Sequence, residues 1–160
     1  MAEGNTTVTD QTRGSFANLK RIFNRMKELG IYEDATIIIT GDHGNPISDR
    51  KPIQVATRIG LFYKPSGSAG TPFATSAAPV STDNIPATIM KALGADYSAY
   101  GAALDEVAED ADITRYTYKS VIGEKTGREV GLYTYTVTGD AADFDNWKII
   151  DHIDIDNSFY

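Results

Sequence analysis

The residues best equipped for chemistry in this chain stand in one short run, Gly41-Asp42-His43-Gly44. An aspartate beside a histidine offers an anionic oxygen and a neutral imidazole nitrogen, a donor pair suited to Zn²⁺ or Mn²⁺. Neighbouring side chains in a regular strand point to opposite faces. The flanking glycines are therefore expected to let the backbone turn sharply enough to bring both toward one ion. The same four residues also make a plausible tight turn, with Asp42 bonding its own backbone and His43 merely exposed. Two donors do not complete a site, since a catalytic zinc takes about three protein ligands. The other histidine, His152, sits in the acidic run Asp151-His152-Ile153-Asp154 and reads as a solvated edge-strand residue.

A second chemical feature is local charge. From Arg50 to Lys91 the bases Arg50, Lys51, Arg58, Lys64 and Lys91 face the single acid Asp83, against the acidic trend of the chain. Such a stretch suits an anionic substrate. Lys64 and Lys91 read as ordinary solvated charges, whereas Lys51 and Arg58 are read either as substrate contacts or as loop charges.

These residues must be held by regular structure. Phe16, Leu19, Ile22, Phe23, Met26 and Leu29 recur at three- and four-residue steps, so one helical face is apolar. Lys20, Arg21, Arg25, Lys27 and Glu28 take the wet side, Thr9 or Asp10 can cap the start, and Gly30 suits the end. Ala35-Thr36-Ile37-Ile38-Ile39-Thr40 follows without polar alternation, and reads as a central parallel strand buried on both faces. Asp42 and His43 would then sit just past its C-terminal end, where open α/β sheets bind ligands. A second strand is expected over Ile59-Gly60-Leu61-Phe62-Tyr63. A helix is expected after the caps Ser81 to Asp83, with Pro86 in its first turn, Ile85, Ile89, Met90 and Leu93 on its inner face, and Gly94 closing it. Beyond about Asp96 acids dominate and the pattern turns to alternation. Thr114, Tyr116 and Tyr118 precede the turn Gly123 to Gly127, Val130 to Val137 alternate, and Trp147-Lys148-Ile149-Ile150 follows a loop: a small antiparallel meander. The fold class expected is α/β, a partial doubly wound and mainly parallel sheet with flanking helices, followed by that meander. The segments are a tail at 1–8, an α/β core at 9–110 and a β subdomain at 111–160.

Composition narrows the function classes. The 160 residues are 41% hydrophobic and 23% charged, an ordinary globular composition. A formal net charge of −7 argues against general nucleic-acid binding, which needs a basic surface. The absence of cysteine excludes disulfides, thiolate metal sites and a cysteine nucleophile. No stretch has the length of a transmembrane helix, and the first residues lack a signal-peptide pattern.

The run from Leu19 to Gly44, above all Lys27-Glu28-Leu29-Gly30-Ile31-Tyr32-Glu33-Asp34 leading through the isoleucines into Asp42-His43-Gly44, resembles a segment of the alkaline phosphatase–sulfatase superfamily. In sulfatases, phosphoglycerol transferases and lipoteichoic acid synthase-like enzymes that segment runs through the metal-binding Asp-His. Val80-Ser81-Thr82-Asp83-Asn84-Ile85-Pro86-Ala87-Thr88-Ile89 with Leu93-Gly94 is similar to a second family helix. It departs at Thr82, Asn84 and Ala87, where the family often shows His, Asp and Pro. The likeness covers about residues 9 to 95, and the acidic meander resembles the family's small C-terminal sheet.

The resemblance implies a divalent metal ion (Mn, Zn, Mg or Ca) on Asp42 and His43, and sulfate or phosphate esters as substrates. It also implies a substrate-contacting lysine near Lys51, and a bacterial membrane-anchored parent with its catalytic domain outside the cell. The family's nucleophile lies far N-terminal to the Asp-His pair, and the Cys/Ser-x-Pro-x-Arg signature is absent from the chain. The expectation is a C-terminal fragment, inactive alone and open to self-association through an exposed sheet edge. The alternative is a binding module that uses Tyr116, Tyr118, Tyr133, Tyr135 and Trp147 as one aromatic face.

Overall fold

The computed structural model describes residues 7–44, 59–123 and 127–155. They fall into two compact units: the chain up to Ile37 together with Lys64–Thr71, and a larger unit of Ile38–Tyr63 with the residues from Pro72 onward.

The first unit is built on α1 (Val8–Glu28). Thr7 caps it reciprocally with Asp10: the Thr7 hydroxyl accepts the Asp10 amide at 3.1 Å, and the Asp10 carboxylate accepts the Thr7 amide at 3.3 Å. The C-terminus closes with Gly30 at φ 70°, Gly30 N–H donating to Lys27 O and Ile31 N–H to Met26 O, both at 3.0 Å. A residue with a Cβ would be strained there. The amphipathic face is present as expected, yet no residue of α1 is fully buried. Phe16, Ile22 and Leu29 are about half exposed. Tyr32 organises the turn that follows. Its ring packs against Phe23 with centroids 5.6 Å apart and lies 4.6 Å from Lys27 Nζ and 4.9 Å from Lys64 Nζ. Lys64 also donates to the carbonyls of Glu33 and Ala35, each at 3.2 Å. It is thus a structural cation rather than a solvated one.

β1 (Ile37–Thr40), all but its first residue in the larger unit, pairs with β2 (Leu61–Lys64), all but its last residue in that unit. The Gly41 amide donates to Gly60 O at 3.2 Å, so the end of β1 lies beside the start of β2 and the two run antiparallel. The α/β character expected from sequence is present, but the described strands do not compose the mainly parallel, doubly wound sheet. Nor is β1 buried on both faces, since Ile37, Ile38 and Ile39 are half-buried. An unbroken apolar run reports that a strand can be covered; it does not encode the direction of the strand beside it.

Ser81 caps a single 3₁₀ turn, Thr82–Asn84, that runs into α2 (Ile85–Ala92) with Pro86 in its first turn. Gly94, at φ 68°, ends α2 as Gly30 ends α1, with Gly94 N–H donating to Lys91 O and Ala95 N–H to Met90 O. Two buried polar side chains stitch α2 to the segment beyond it. Asn84 accepts the Ser81 amide and donates to Ala102 O, both at 2.9 Å. Thr88, 1% exposed, donates to Asn84 O at 2.7 Å and accepts the Leu104 amide at 2.9 Å. Ala87 and Ala103 are wholly buried. Lys91 bridges Asp105 at 2.9 Å and Glu106 at 3.0 Å, and Glu106 also accepts Tyr97 OH at 2.7 Å and the Ala103 amide at 2.9 Å.

The meander is a three-stranded antiparallel sheet in the order β3 (Asp112–Gly123), β4 (Gly127–Thr138), β5 (Trp147–Ile155). Its inner face buries Tyr135 and Val137, against which Tyr133, Ala141, Phe144 and Trp147 pack. Arg115 on β3 donates to Pro79 O at 2.8 Å and approaches Asp83 at 3.6 Å. Glu109 accepts Ser76 Oγ and the Ala77 amide. The acidic C-terminal part is therefore tied to the residues leading into α2.

Candidate metal centre

Asp42 and His43 follow the end of β1 after one residue, Gly41, and both belong to the larger unit. Thr40 Oγ1 donates to Gly41 O at 3.1 Å, and the Gly41 amide is held by Gly60, so the backbone entering the pair is anchored. Gly41 does not use a left-handed backbone. A Cβ there would stand 3.4 Å from His43 O and 3.9 Å from the Ile59 Cβ.

The two side chains do converge. Asp42 Oδ1 accepts the His43 amide at 3.0 Å, which is the turn-forming bond, and its Oδ2 is left 3.9 Å from His43 Nε2. His43 Nδ1 lies 2.7 Å from Gly44 O. A carbonyl oxygen only accepts, so in the neutral ring the proton belongs on Nδ1 and Nε2 is left with its lone pair. An imidazole whose second nitrogen is tied to a carbonyl is the usual state of a metal-binding histidine. Two donors can share a zinc-sized ion only if their separation stays below the sum of two bond lengths, about 4.2 Å. The 3.9 Å gap lies inside that limit, and tetrahedral bond angles would draw the two donors in to about 3.3 Å. The donor set, one anionic oxygen and one neutral nitrogen, fits a divalent cation. Both side chains are open to solvent, Asp42 at 91% and His43 at 62%, and among the described residues no third His, Asp or Glu joins them. The tight-turn and metal-pair readings are therefore not exclusive, since one carboxylate oxygen makes the turn and the other faces the imidazole.

The remaining candidates separate. Lys51 and Arg58 lie outside the described residues. Lys91 is committed to Asp105 and Glu106, which raise its pKa above the usual lysine value. His152 is not merely solvated: it stacks on Tyr133 with centroids 4.2 Å apart and meets Asp154 at 3.0 Å. The aromatic residues considered as one binding face do not share one side of the sheet. Tyr116 holds the register position opposite Thr134, alternating with the position opposite Tyr135. Tyr135 is 2% exposed and Trp147 Nε1 donates to Ala141 O, so those rings form the core of the meander. Sequence reasoning passed over Asn84 and Thr88 as structural centres; the signal was a pair of polar residues four apart at the start of an apolar helix.

No described helix is long and apolar enough to cross a membrane. No curated protein and no solved structure matches the chain. Residues 17–95, from within α1 through β1, the Asp-His pair and α2, match the family model described as Sulfatase. This segment of the chain is thus similar to the sulfatase family.

Proposed function

We propose that the chain supplies a metal-ligating part of an enzyme that hydrolyses or transfers sulfate or phosphate esters, with Asp42 Oδ2 and His43 Nε2 as two donors to one divalent cation. The observation that carries this reading is a carboxylate oxygen 3.9 Å from His43 Nε2 at the tip of a strand, with Nδ1 turned to the Gly44 carbonyl. The likeness of the same segment to the sulfatase family supports the substrate class. An oxygen–nitrogen pair favours Zn²⁺ or Mn²⁺ and leaves Mg²⁺ and Ca²⁺ as weaker candidates. When bound, such a cation neutralises charge on the transferring sulfuryl or phosphoryl group. The chain's own contribution is positional: Gly44 O fixes the imidazole tautomer, and Gly60 O anchors the backbone that presents both donors. Lys51 and Arg58, which follow in sequence, would meet the anionic oxygens of the ester. The nucleophile and the further ligands come from residues other than these, so the 160-residue chain alone would turn over little substrate.

Titration with Mn²⁺ and Zn²⁺, followed by calorimetry, tests the ligand assignment. Asp42→Ala and His43→Ala should each weaken binding by roughly tenfold or more. Equal affinity in wild type and both variants would refute it. Metal-dependent turnover of an aryl sulfate or aryl phosphate by the purified chain would instead refute the proposal that the nucleophile lies elsewhere.

A further inference from the structure

We infer that Lys64 sets the register of β1 against β2 and is thereby a positioning residue for the Asp42–His43 pair; the second half of this inference rests on the metal reading of that pair. The need for such a device follows from the strand itself. Ile37, Ile38 and Ile39 stand in a row, so sliding the strand by one residue still leaves isoleucine where isoleucine was at most of its apolar positions. Register is ordinarily held because one face is buried and a one-residue slip turns every side chain to the wrong face. Here all three isoleucines are half-buried, so neither face discriminates. A ladder whose strands have four residues each also offers few bonds with which to resist sliding.

Register is then set at the ends of the strand. At its exit the Gly41 amide donates to Gly60 O at 3.2 Å. At its entry the ammonium of Lys64, the last residue of β2, donates to Glu33 O and Ala35 O, each at 3.2 Å, and to Pro65 O at 3.3 Å. An ammonium has three protons and no lone pair, so three carbonyls satisfy it fully. Bonds from a charged donor are about twice as strong as neutral ones, and Lys64 is half-buried. Glu33 O accepts the Gly67 amide as well, at 2.8 Å. A one-residue slip of β1 would carry these carbonyls about 3.3 Å along the strand and away from the donors that hold them.

The same slip would break the bond between Gly41 and Gly60, and with it the anchor that keeps Asp42 and His43 turned to one point. Lys64 acts on the pair through the strand. The Tyr32 ring beside it has a second ammonium, Lys27, at 4.6 Å, against 4.9 Å for Lys64. Lys27 therefore separates the effect of a cation on the ring from the effect of the carbonyl clamp.

Lys64→Met keeps the stem and removes the ammonium. Hydrogen exchange at the Gly41 amide, beyond the far end of β1, should then rise about tenfold or more, while the Leu104 amide held by Thr88 keeps its wild-type rate. Affinity for Mn²⁺, measured by calorimetry, should fall about tenfold. Lys64→Arg, whose guanidinium can serve several carbonyls, should recover most of both, and Lys27→Met should change neither. If Lys64→Met fails to fold, Lys64→Gln, which keeps an uncharged donor, carries the same comparison. A folded Lys64 variant with wild-type exchange at Gly41 overturns the inference, as does a Lys27→Met that matches it. Faster exchange at Gly41 with unchanged Mn²⁺ affinity overturns the positioning role. A wild-type chain with no affinity for Mn²⁺ refutes the metal pair itself, whereas exchange at Gly41 still decides whether Lys64 sets the register.

Discussion

His43 holds its Nδ1 2.7 Å from the carbonyl oxygen of Gly44, and this one contact decides which nitrogen is free for a ligand. The other histidine is set the opposite way, with Nε2 3.0 Å from Asp154 Oδ1, an acceptor that requires the proton on Nε2. The chain has only these two histidines, so each can be assigned in a spectrum. Long-range proton–nitrogen correlation spectra should show neutral His43 protonated at Nδ1 and neutral His152 at Nε2. Zn²⁺ should then shift the Nε2 resonance of His43 and leave His152 in place. Finding the same tautomer at both residues, or a zinc response confined to His152, would contradict the arrangement.

Thr88 and Asn84 should dominate the stability of the α2 region. Thr88→Val keeps shape but strands the buried Leu104 amide without an acceptor, a loss of about 1–3 kcal/mol. Asn84→Asp keeps the acceptor for the Ser81 amide and removes the donor to Ala102 O, setting two oxygens against each other in a nearly closed site. It should cost at least as much, about 1–3 kcal/mol. Urea unfolding of both variants checks this, with exposed Thr82→Val as a control expected to change little.

Much of the fold was legible because its signals are local. The three-and-four spacing from Phe16 to Leu29 gave α1, Gly30 and Gly94 marked the two helix ends, and the glycines at 123 and 127 marked the hairpin between β3 and β4. Boundaries moved by a few residues where two caps competed: Thr7, not Thr9 or Asp10, is the N-cap, with Asp10 as its reciprocal partner. What was not legible depends on contacts distant in sequence. Nothing in three isoleucines says that the neighbouring strand runs antiparallel. Nothing near Lys64 says that its ammonium will serve carbonyls some thirty residues earlier. At the site, the types and adjacency of Asp42 and His43 were readable, whereas the role of Gly44 as the acceptor that fixes the tautomer was not. The departure at Asn84 from the family pattern also makes sense only in three dimensions, since an amide can both accept from Ser81 and donate to Ala102 where a carboxylate could only accept.

Glu106 predicts how stability responds to acid. Hydrogen bonds from Tyr97 OH and the Ala103 amide, together with Lys91, hold its carboxyl down from 4.5 to about 2. A carboxyl depressed on folding contributes stability that is complete above its ordinary value and is lost as pH falls toward the depressed one. Wild type should therefore lose stability between about pH 4.5 and about pH 2 more steeply than Glu106→Gln, which has no proton to take up. Urea midpoints measured across that interval should converge for the two proteins at the acid end. Parallel curves would mean that the carboxyl is not held by these partners.

Two glycine-to-alanine changes should have opposite signs. Gly14 lies inside α1, where an added Cβ would meet nothing within 4 Å. Gly14→Ala thus gains helix propensity without a clash and should stabilise by about 0.8–1 kcal/mol. Gly131 sits on β4 beneath the Tyr133–His152 stack, and a Cβ there would stand 3.1 Å from both His152 Nε2 and Tyr133 Cε2. Both rings would have to move, at a cost of about 1–3 kcal/mol. The His152 ring protons, shifted upfield by the neighbouring tyrosine, should return toward ordinary positions in Gly131→Ala and stay put in Gly14→Ala. Because neither glycine has a positive φ, the difference in sign isolates packing from backbone strain. Equal effects at the two sites would show that the stack does not press on Gly131.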